Sequence, residues 1–162
     1  MANATVQDRW RFCADCFALH FIGNLALGVC PAGGGHSPVG SGDYVLLLSS
    51  DAAFDSTVTG QRNWRFCHKC RSLWFNGQPT NGVCPAGGSH SASQSGDYSL
   101  IVQDPDFDSS ILAQRNWRFC SDCFVLWFNG QPTNGVCPAG GGHTRSGSGD
   151  YALTVDTDTV FN

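Results

Sequence analysis

The 162-residue chain contains no glutamate, a single lysine and a single methionine, and no apolar run as long as a membrane span. Each absence excludes something. Without Glu there is no general acid/base for a zinc deaminase of the H-x-E type and no distant bidentate carboxylate to finish an EF-hand loop, so the cluster Asp104, Asp106 and Asp108 reads as a connecting turn around Pro105 and Phe107. Helices are not favoured either, because Lys and Glu are scarce and nothing carries a helical period, whereas 20 Gly and short alternating runs favour strands joined by turns. The nine Lys and Arg form no basic run, and the formal charge is −4. That is a poor match to a phosphate backbone.

No stretch is long and apolar enough to span a membrane, and Met1 to Gln7 lacks the basic and apolar regions of a secretion signal. The expected location is therefore the cytoplasm, with release by a non-classical route as the other reading. Asn3-Ala4-Thr5 is a formal glycosylation sequon, but without a secretory route it is read as chance.

What the chain does have is one spacing written three times without an insertion, C-x2-C-x13-C-x5-H, which uses all nine cysteines. The sets are Cys13, Cys16, Cys30, His36; Cys67, Cys70, Cys84, His90; and Cys120, Cys123, Cys137, His143. Three thiolates and an imidazole are the number and type of donors that a tetrahedral Zn²⁺ takes in a structural site. Disulfides fit badly, since three cysteines per repeat leave one thiol over. A redox CxxC would bring no third Cys and no His at fixed distance. The sequence thus predicts three structural Zn²⁺ ions, and zinc-held thiols suit a reducing compartment. With three thiolates per ion, the loaded protein would carry a charge of about −7.

The repeats run over 1–60, 61–113 and 114–162, aligned from Gln7, Gln61 and Gln114. Units of about fifty residues have little core of their own, so a metal staple is expected in each. The lead-ins Trp10-Arg11-Phe12, Trp64-Arg65-Phe66 and Trp117-Arg118-Phe119 put Trp and Phe on one strand face and Arg on the other. After the CxxC come Leu19-His20-Phe21, Leu73-Trp74-Phe75 and Leu126-Trp127-Phe128, whose period of two sends Leu and Phe inward and the middle residue outward. Each copy closes on Gly-Asp-Tyr and a strand, with Tyr44, Leu46, Leu48, Tyr98, Leu100, Val102, Tyr151, Leu153 and Val155 on a core face. The connecting segments carry Phe54, Val58, Phe107, Ile111 and Leu112, which independent beads would not need. The expected fold is all-β: three zinc-stapled repeats packed about a pseudo-threefold axis into one compact domain, with three zinc-ribbon-like beads as the alternative.

The string W-R-F-C-x-x-C-x-x-L-x-F, then G-V-C-P-A-G-G-x-H, then S-G-D-Y-x-L, resembles a tandem repeat found in proteins of fungi and soil bacteria, whose function is mostly unassigned. The resemblance covers nearly the whole chain and implies little about activity. In overall plan the chain is also similar to fungal defence lectins, by analogy of architecture alone.

Three function classes compete. A lectin-like carbohydrate-binding protein is suggested by Trp74 with Asn76, Gln78 and Asn81, and by Trp127 with Asn129, Gln131 and Asn134, an aromatic platform beside amide-rich loops. The competing view is that both tryptophans close the core between repeats and the Asn-Gly loops are hairpins. Repeat one has His20 and the apolar Ile22, Leu25 and Leu27 in place of these features. An enzyme is not expected, because a site with four protein ligands leaves no open position, and His20 and His68 are single-copy residues. A protein- or RNA-interaction module built on zinc fingers would use Arg11, Arg65 and Arg118, although the acidic balance opposes nucleic acid and these arginines equally suit pairing with Asp43, Asp97 and Asp150. Glycans are the candidate partners, and no membrane is expected.

Overall fold

The computed structural model describes residues 6–23, 28–48, 60–93, 95, 98–102, 113–149 and 151–160. Among them are nine strands and no helix, as the composition predicts. Each repeat contributes three strands: β1 (Val6–Phe12), β2 (Leu19–Phe21) and β3 (Gly42–Leu48); β4 (Gly60–Phe66), β5 (Leu73–Phe75) and β6 (Tyr98–Val102); β7 (Ala113–Phe119), β8 (Leu126–Phe128) and β9 (Tyr151–Val160). Within a repeat the first strand lies antiparallel between the other two, so that Trp10 faces Phe21 on one side and Tyr44 on the other. Trp64 and Trp117 repeat the register with Phe75 and Tyr98, and with Phe128 and Tyr151.

The repeats join through their last strands. The end of β3 pairs with the start of β6 (Leu48 with Tyr98), the end of β6 with the start of β9 (Val102 with Tyr151), and β9 returns to the start of β3 (Val155 with Tyr44). Three strands therefore close a triangle in which each splays from one neighbour to the next. The pairing of β9 with β3 makes the third repeat as much a neighbour of the first as the second is, which gives the pseudo-threefold arrangement.

Side chains follow the same rotation. Trp10 meets Tyr98, Trp64 meets Tyr151 and Trp117 meets Tyr44, with centroids 5.3–5.4 Å apart and interplanar angles of 78–79°. Edge-to-face pairs of this kind add about 0.5–1.5 kcal/mol beyond area burial. Together with Leu19, Leu73, Leu126, Leu46 and Leu153 these rings form one buried cluster, and a second surrounds the cysteines. The expected core tyrosines and the two described leucines of the last strands are buried. The side chains of Leu48, Leu100, Val102, Val155 and Asp43, and all of Leu25, Leu27, Phe54, Asp97, Asp104, Asp106, Phe107, Asp108, Ile111, Leu112, Asp150 and Val58, lie outside the described residues.

A bulge interrupts β1, β4 and β7 just before the tryptophan, where the register shifts. The residue there has positive φ: 69° at Arg9, and 78° at Asn63 and Asn116. Asn tolerates that conformation and Arg does so at a cost. The asparagines also accept a guanidinium hydrogen bond, Asn63 Oδ1 from Arg65 at 3.2 Å and Asn116 Oδ1 from Arg118 at 3.1 Å.

Two outcomes are expected. Arg9→Asn relieves left-handed strain, so thermal unfolding should show a gain of about 1 kcal/mol, or about 2–4 °C in Tm. An isolated 61–113 fragment loses the partners of Trp64 and Tyr98 and should be unfolded or aggregated by circular dichroism and light scattering; a stable, metal-loaded fragment would contradict the shared core.

Candidate metal centres

Each CxxC sits on a tight knuckle immediately after the first strand. Cys13 N–H donates to the Ala18 carbonyl, Phe17 N–H to the Cys13 carbonyl, and Cys16 N–H points at Cys13 Sγ from 3.4 Å. The residue after the knuckle turns the chain with positive φ, at Phe17 (76°), Arg71 (72°) and Phe124 (78°). None is Gly or Asn, because each side chain packs on the lead-in strand. Phe17 lies 5.4 Å from Phe12, Phe124 5.3 Å from Phe119, and the Arg71 guanidinium 5.7 Å from the Phe66 ring. The third cysteine sits on a second turn, where Cys30 N–H bonds the Gly34 carbonyl and Gly33 N–H the Cys30 carbonyl. Backbone N–H groups of Ala32 and Ser37 approach Cys30 Sγ and Cys13 Sγ at 3.4 Å, a placement that favours thiolate.

The four donors of each set lie within 4.8 Å of one another. Cys13 Sγ and Cys30 Sγ are 3.9 Å apart, as are Cys67 with Cys84 and Cys120 with Cys137, and all nine cysteines are free. The histidine Nδ1 stands 3.4–3.5 Å from the Sγ of Cys16, Cys70 or Cys123. Tetrahedral zinc with bonds of about 2.3 Å to sulfur and 2.0 Å to nitrogen sets its donors about 3.5–3.8 Å apart. The spacing therefore fits three zinc ions, and all twelve ligands are buried, none more than 3 % exposed.

Electrostatics agree with that donor set. The Cys13 thiol is driven far below its usual range by hydrogen bonds from Cys16 and then Cys30, and Cys67 and Cys120 behave likewise toward their own neighbours. Cys16 is pushed well up, first by its hydrogen bond to Cys13, and Cys30 rises to about 11 for the same first reason. Charge gathered on one sulfur is thus denied to the others until a cation compensates it. Burial lowers the pKa of His90, but hydrogen bonds to Cys67 and Cys84 outweigh it and raise it to about 9, so zinc binding there would displace the Nδ1 proton.

The other ring nitrogen of each histidine fixes the tautomer. His36 Nε2 lies 3.0 Å from the Cys70 carbonyl oxygen, His90 Nε2 3.0 Å from that of Cys123, and His143 Nε2 3.0 Å from that of Cys16. A carbonyl only accepts, so Nε2 carries the proton and Nδ1 keeps its lone pair for the metal.

The residues placed outward by period-two reasoning are not outward. Trp74, Trp127 and His20 are fully buried and stack on the ligand histidines, Trp74 on His90 and Trp127 on His143 at 5.4 Å, His20 on His36 at 4.8 Å. Strands β2, β5 and β8 meet at the axis through the bridges Ala18–Trp127, His20–Ser72 and Trp74–Val125, and with Leu19, Leu73 and Leu126 buried on one face and His20, Trp74 and Trp127 on the other, both faces are covered. Alternation reports burial only for strands with one covered face. No aromatic platform for a sugar therefore exists at Trp74 or Trp127, and the alternative that they close the core is the one the structure bears out.

The amide-rich loops are divided in role. Asn81 Nδ2 donates to the His90 carbonyl at 3.2 Å and Asn134 Nδ2 to that of His143 at 3.1 Å, so both brace a metal ligand. Asn76 and Asn129 are half-buried, the latter accepting from Arg145 at 3.4 Å, while Gln78 and Gln131 are exposed. Asn76-Gly77 does not form a hairpin turn: β5 pairs with β4, and positive φ falls instead on Gly82, with Gly28 and Gly135 its counterparts. A side-chain carbon at Gly28, Gly82 or Gly135 would collide with the carbonyl of Cys70, Cys123 or Cys16, so this glycine serves contact with the next repeat and not only the wrap around its own metal. Arg11 is buried, and its guanidinium reaches the Trp10 carbonyl at 3.4 Å.

Sequence reasoning missed His20 as a core ring. Its alignment with Trp74 and Trp127 was the available signal. No family model, curated protein or solved structure matches the chain.

Trp74→Ala should cost about 3–5 kcal/mol as a buried ring is lost, seen as a fall in Tm and easier zinc loss to a chelator. Gln78→Ala with Gln131→Ala, both on exposed loops, should shift stability by no more than about 0.5 kcal/mol each.

Proposed function

We propose that the protein is a non-enzymatic binding module, a zinc-stapled scaffold that presents repeated polar loops around a threefold axis. The observation that carries this reading is the burial of every Cys and His ligand in a complete four-donor set, which leaves no coordination position for water or substrate. Zinc then supplies folding energy, on the order of 10 kcal/mol or more per site.

Among the described residues, the exposed chain consists largely of loop tips, 77–80 and 130–133 with their Gln, Pro and Thr, and the glycine turns 32–35, 86–89 and 139–142. Uncharged hydroxyl-rich ligands suit such amide and hydroxyl groups, and weak sites repeated on one rigid body gain avidity on a multivalent surface. With Trp74 and Trp127 buried, a glycan site moves to these tips. Nucleic acid is disfavoured by the charge of −4 and by the engagement of Arg65 and Arg118 with the bulge asparagines.

Metal analysis should give three zincs per chain, and strong chelation should abolish the β-sheet signal and the cooperative melt; unchanged dichroism after chelation would remove the structural role. On a glycan array the zinc-loaded protein should bind in a manner insensitive to moderate salt, and Gln78→Ala with Gln131→Ala should reduce binding several-fold while three zincs stay bound. Retention on single-stranded nucleic acid that falls with salt, and no sugar binding, would instead favour the interaction-module alternative.

A further inference from the structure

We propose that the three zinc sites load as one cooperative unit, because each ligand histidine holds a ligand cysteine of the neighbouring site by its backbone. The inference rests on the reading of the Cys₃His groups as zinc sites and adds a coupling between them. The ties run in one direction around the axis: His36 to the Cys70 carbonyl, His90 to that of Cys123, and His143 back to that of Cys16. In each case the acceptor is the second cysteine of a CxxC, whose own Sγ stands 3.4–3.5 Å from the histidine of its own set. The ring has no end. A linear array would keep one terminal site free of such a tie, but the 127-residue step from His143 to Cys16 removes it.

Two further contacts load the same knuckle. Gly28, Gly82 and Gly135 lie against these carbonyls so closely that a Cβ would not fit, and the amides of Val29 and Val136 also approach those of Cys70 and Cys16 at 3.4 Å. One residue on, the Arg71, Phe124 and Phe17 carbonyls accept from Phe21, Phe75 and Phe128 N–H at 3.0–3.1 Å. At the metal end of the molecule the repeats therefore dock through the knuckles themselves. The two states of this element follow from coordination: a cation bonds the four buried donors to one centre, and without one nothing bonds the three sulfurs and the ring together. A site that splays withdraws its histidine from the next knuckle and releases the backbone that positions the next cysteine pair, so an empty site weakens its neighbour and is weakened in turn by the site behind it.

The test is native mass spectrometry of the full chain at a buffered zinc level giving half saturation. Metal-free and three-zinc molecules should dominate, whereas independent equal sites would place about three quarters of molecules in one- and two-zinc species. Gly82→Ala keeps all twelve ligands but forces the second repeat off the Cys123 carbonyl, and it should raise the partly loaded fraction several-fold or shed all three zincs together. Leu153→Ala, in the tryptophan and tyrosine core, should lower Tm yet keep the two-species distribution. A wild-type distribution matching independent sites, or an equal rise of partly loaded species in Leu153→Ala and Gly82→Ala, would overturn the coupling. A wild-type chain that binds no zinc at all would overturn the metal reading beneath it.

Discussion

A backbone carbonyl at the second cysteine of each CxxC is the point through which the rest of the structure is held. The knuckle exists because two thiolates must approach one metal, and that turn leaves its carbonyls pointing away from the site, with no strand partner of their own. Buried carbonyls need donors. They are satisfied by the neighbouring repeat, through the imidazole of its ligand histidine and the N–H groups of its short strand. The same group thus completes a metal site, by fixing the histidine tautomer, and a repeat interface. Unit and assembly are specified together, which is why units this small can share one fold.

The opposite end of the body is closed by other means. There the strands β3, β6 and β9 pair with one another in a triangle, and the Trp–Tyr edges fill its interior. Metal chemistry governs one layer and aromatic packing the other, with Leu19, Leu73 and Leu126 in the aromatic one. Such a division leaves the loop tips 77–80 and 130–133 nearly free of structural duty, whereas Asn81 and Asn134 brace ligand histidines and the glycine turns hold the third cysteines.

Much of this was legible in the sequence, and what was not has a physical reason. The twelve ligands were visible because metal chemistry demands fixed residue types at fixed spacing. The Trp, Leu and Tyr core was visible because these side chains recur at period two on one strand face, even though neighbouring repeats supply part of their cover. The burial of Trp74 and Trp127 was not, since their cover comes from the distant ligand histidine of their own repeat and from a bridging strand of a neighbouring one, neither of which leaves a local period. Nor were the carbonyl acceptors, which every residue possesses. Positive φ at Phe17, Arg71 and Phe124 defeats turn propensity, because the side chain is retained for packing against the lead-in strand.

The departure from threefold symmetry nearest the axis is in repeat one, and its chemistry shows how much the ring tolerates. His20 is fully buried with no hydrogen-bond partner at either ring nitrogen among the described residues, and burial, then the nearby His36, lowers its pKa to about 3. It is therefore neutral at ordinary pH and acts as a smaller aromatic plate, stacked 4.8 Å from His36 where the indoles stand at 5.4 Å. Volume lost at the ring is matched by a polar neighbour: Ser72 Oγ lies 3.4 Å from His36 Nε2, at the position where Ala18 and Val125 offer His143 and His90 only methyl groups. A His for a Trp in the core would ordinarily be severe. Here it is accommodated because the tie it stacks upon runs from an imidazole to a main-chain carbonyl, and a main-chain acceptor is unaffected by which side chain the repeat carries beside it.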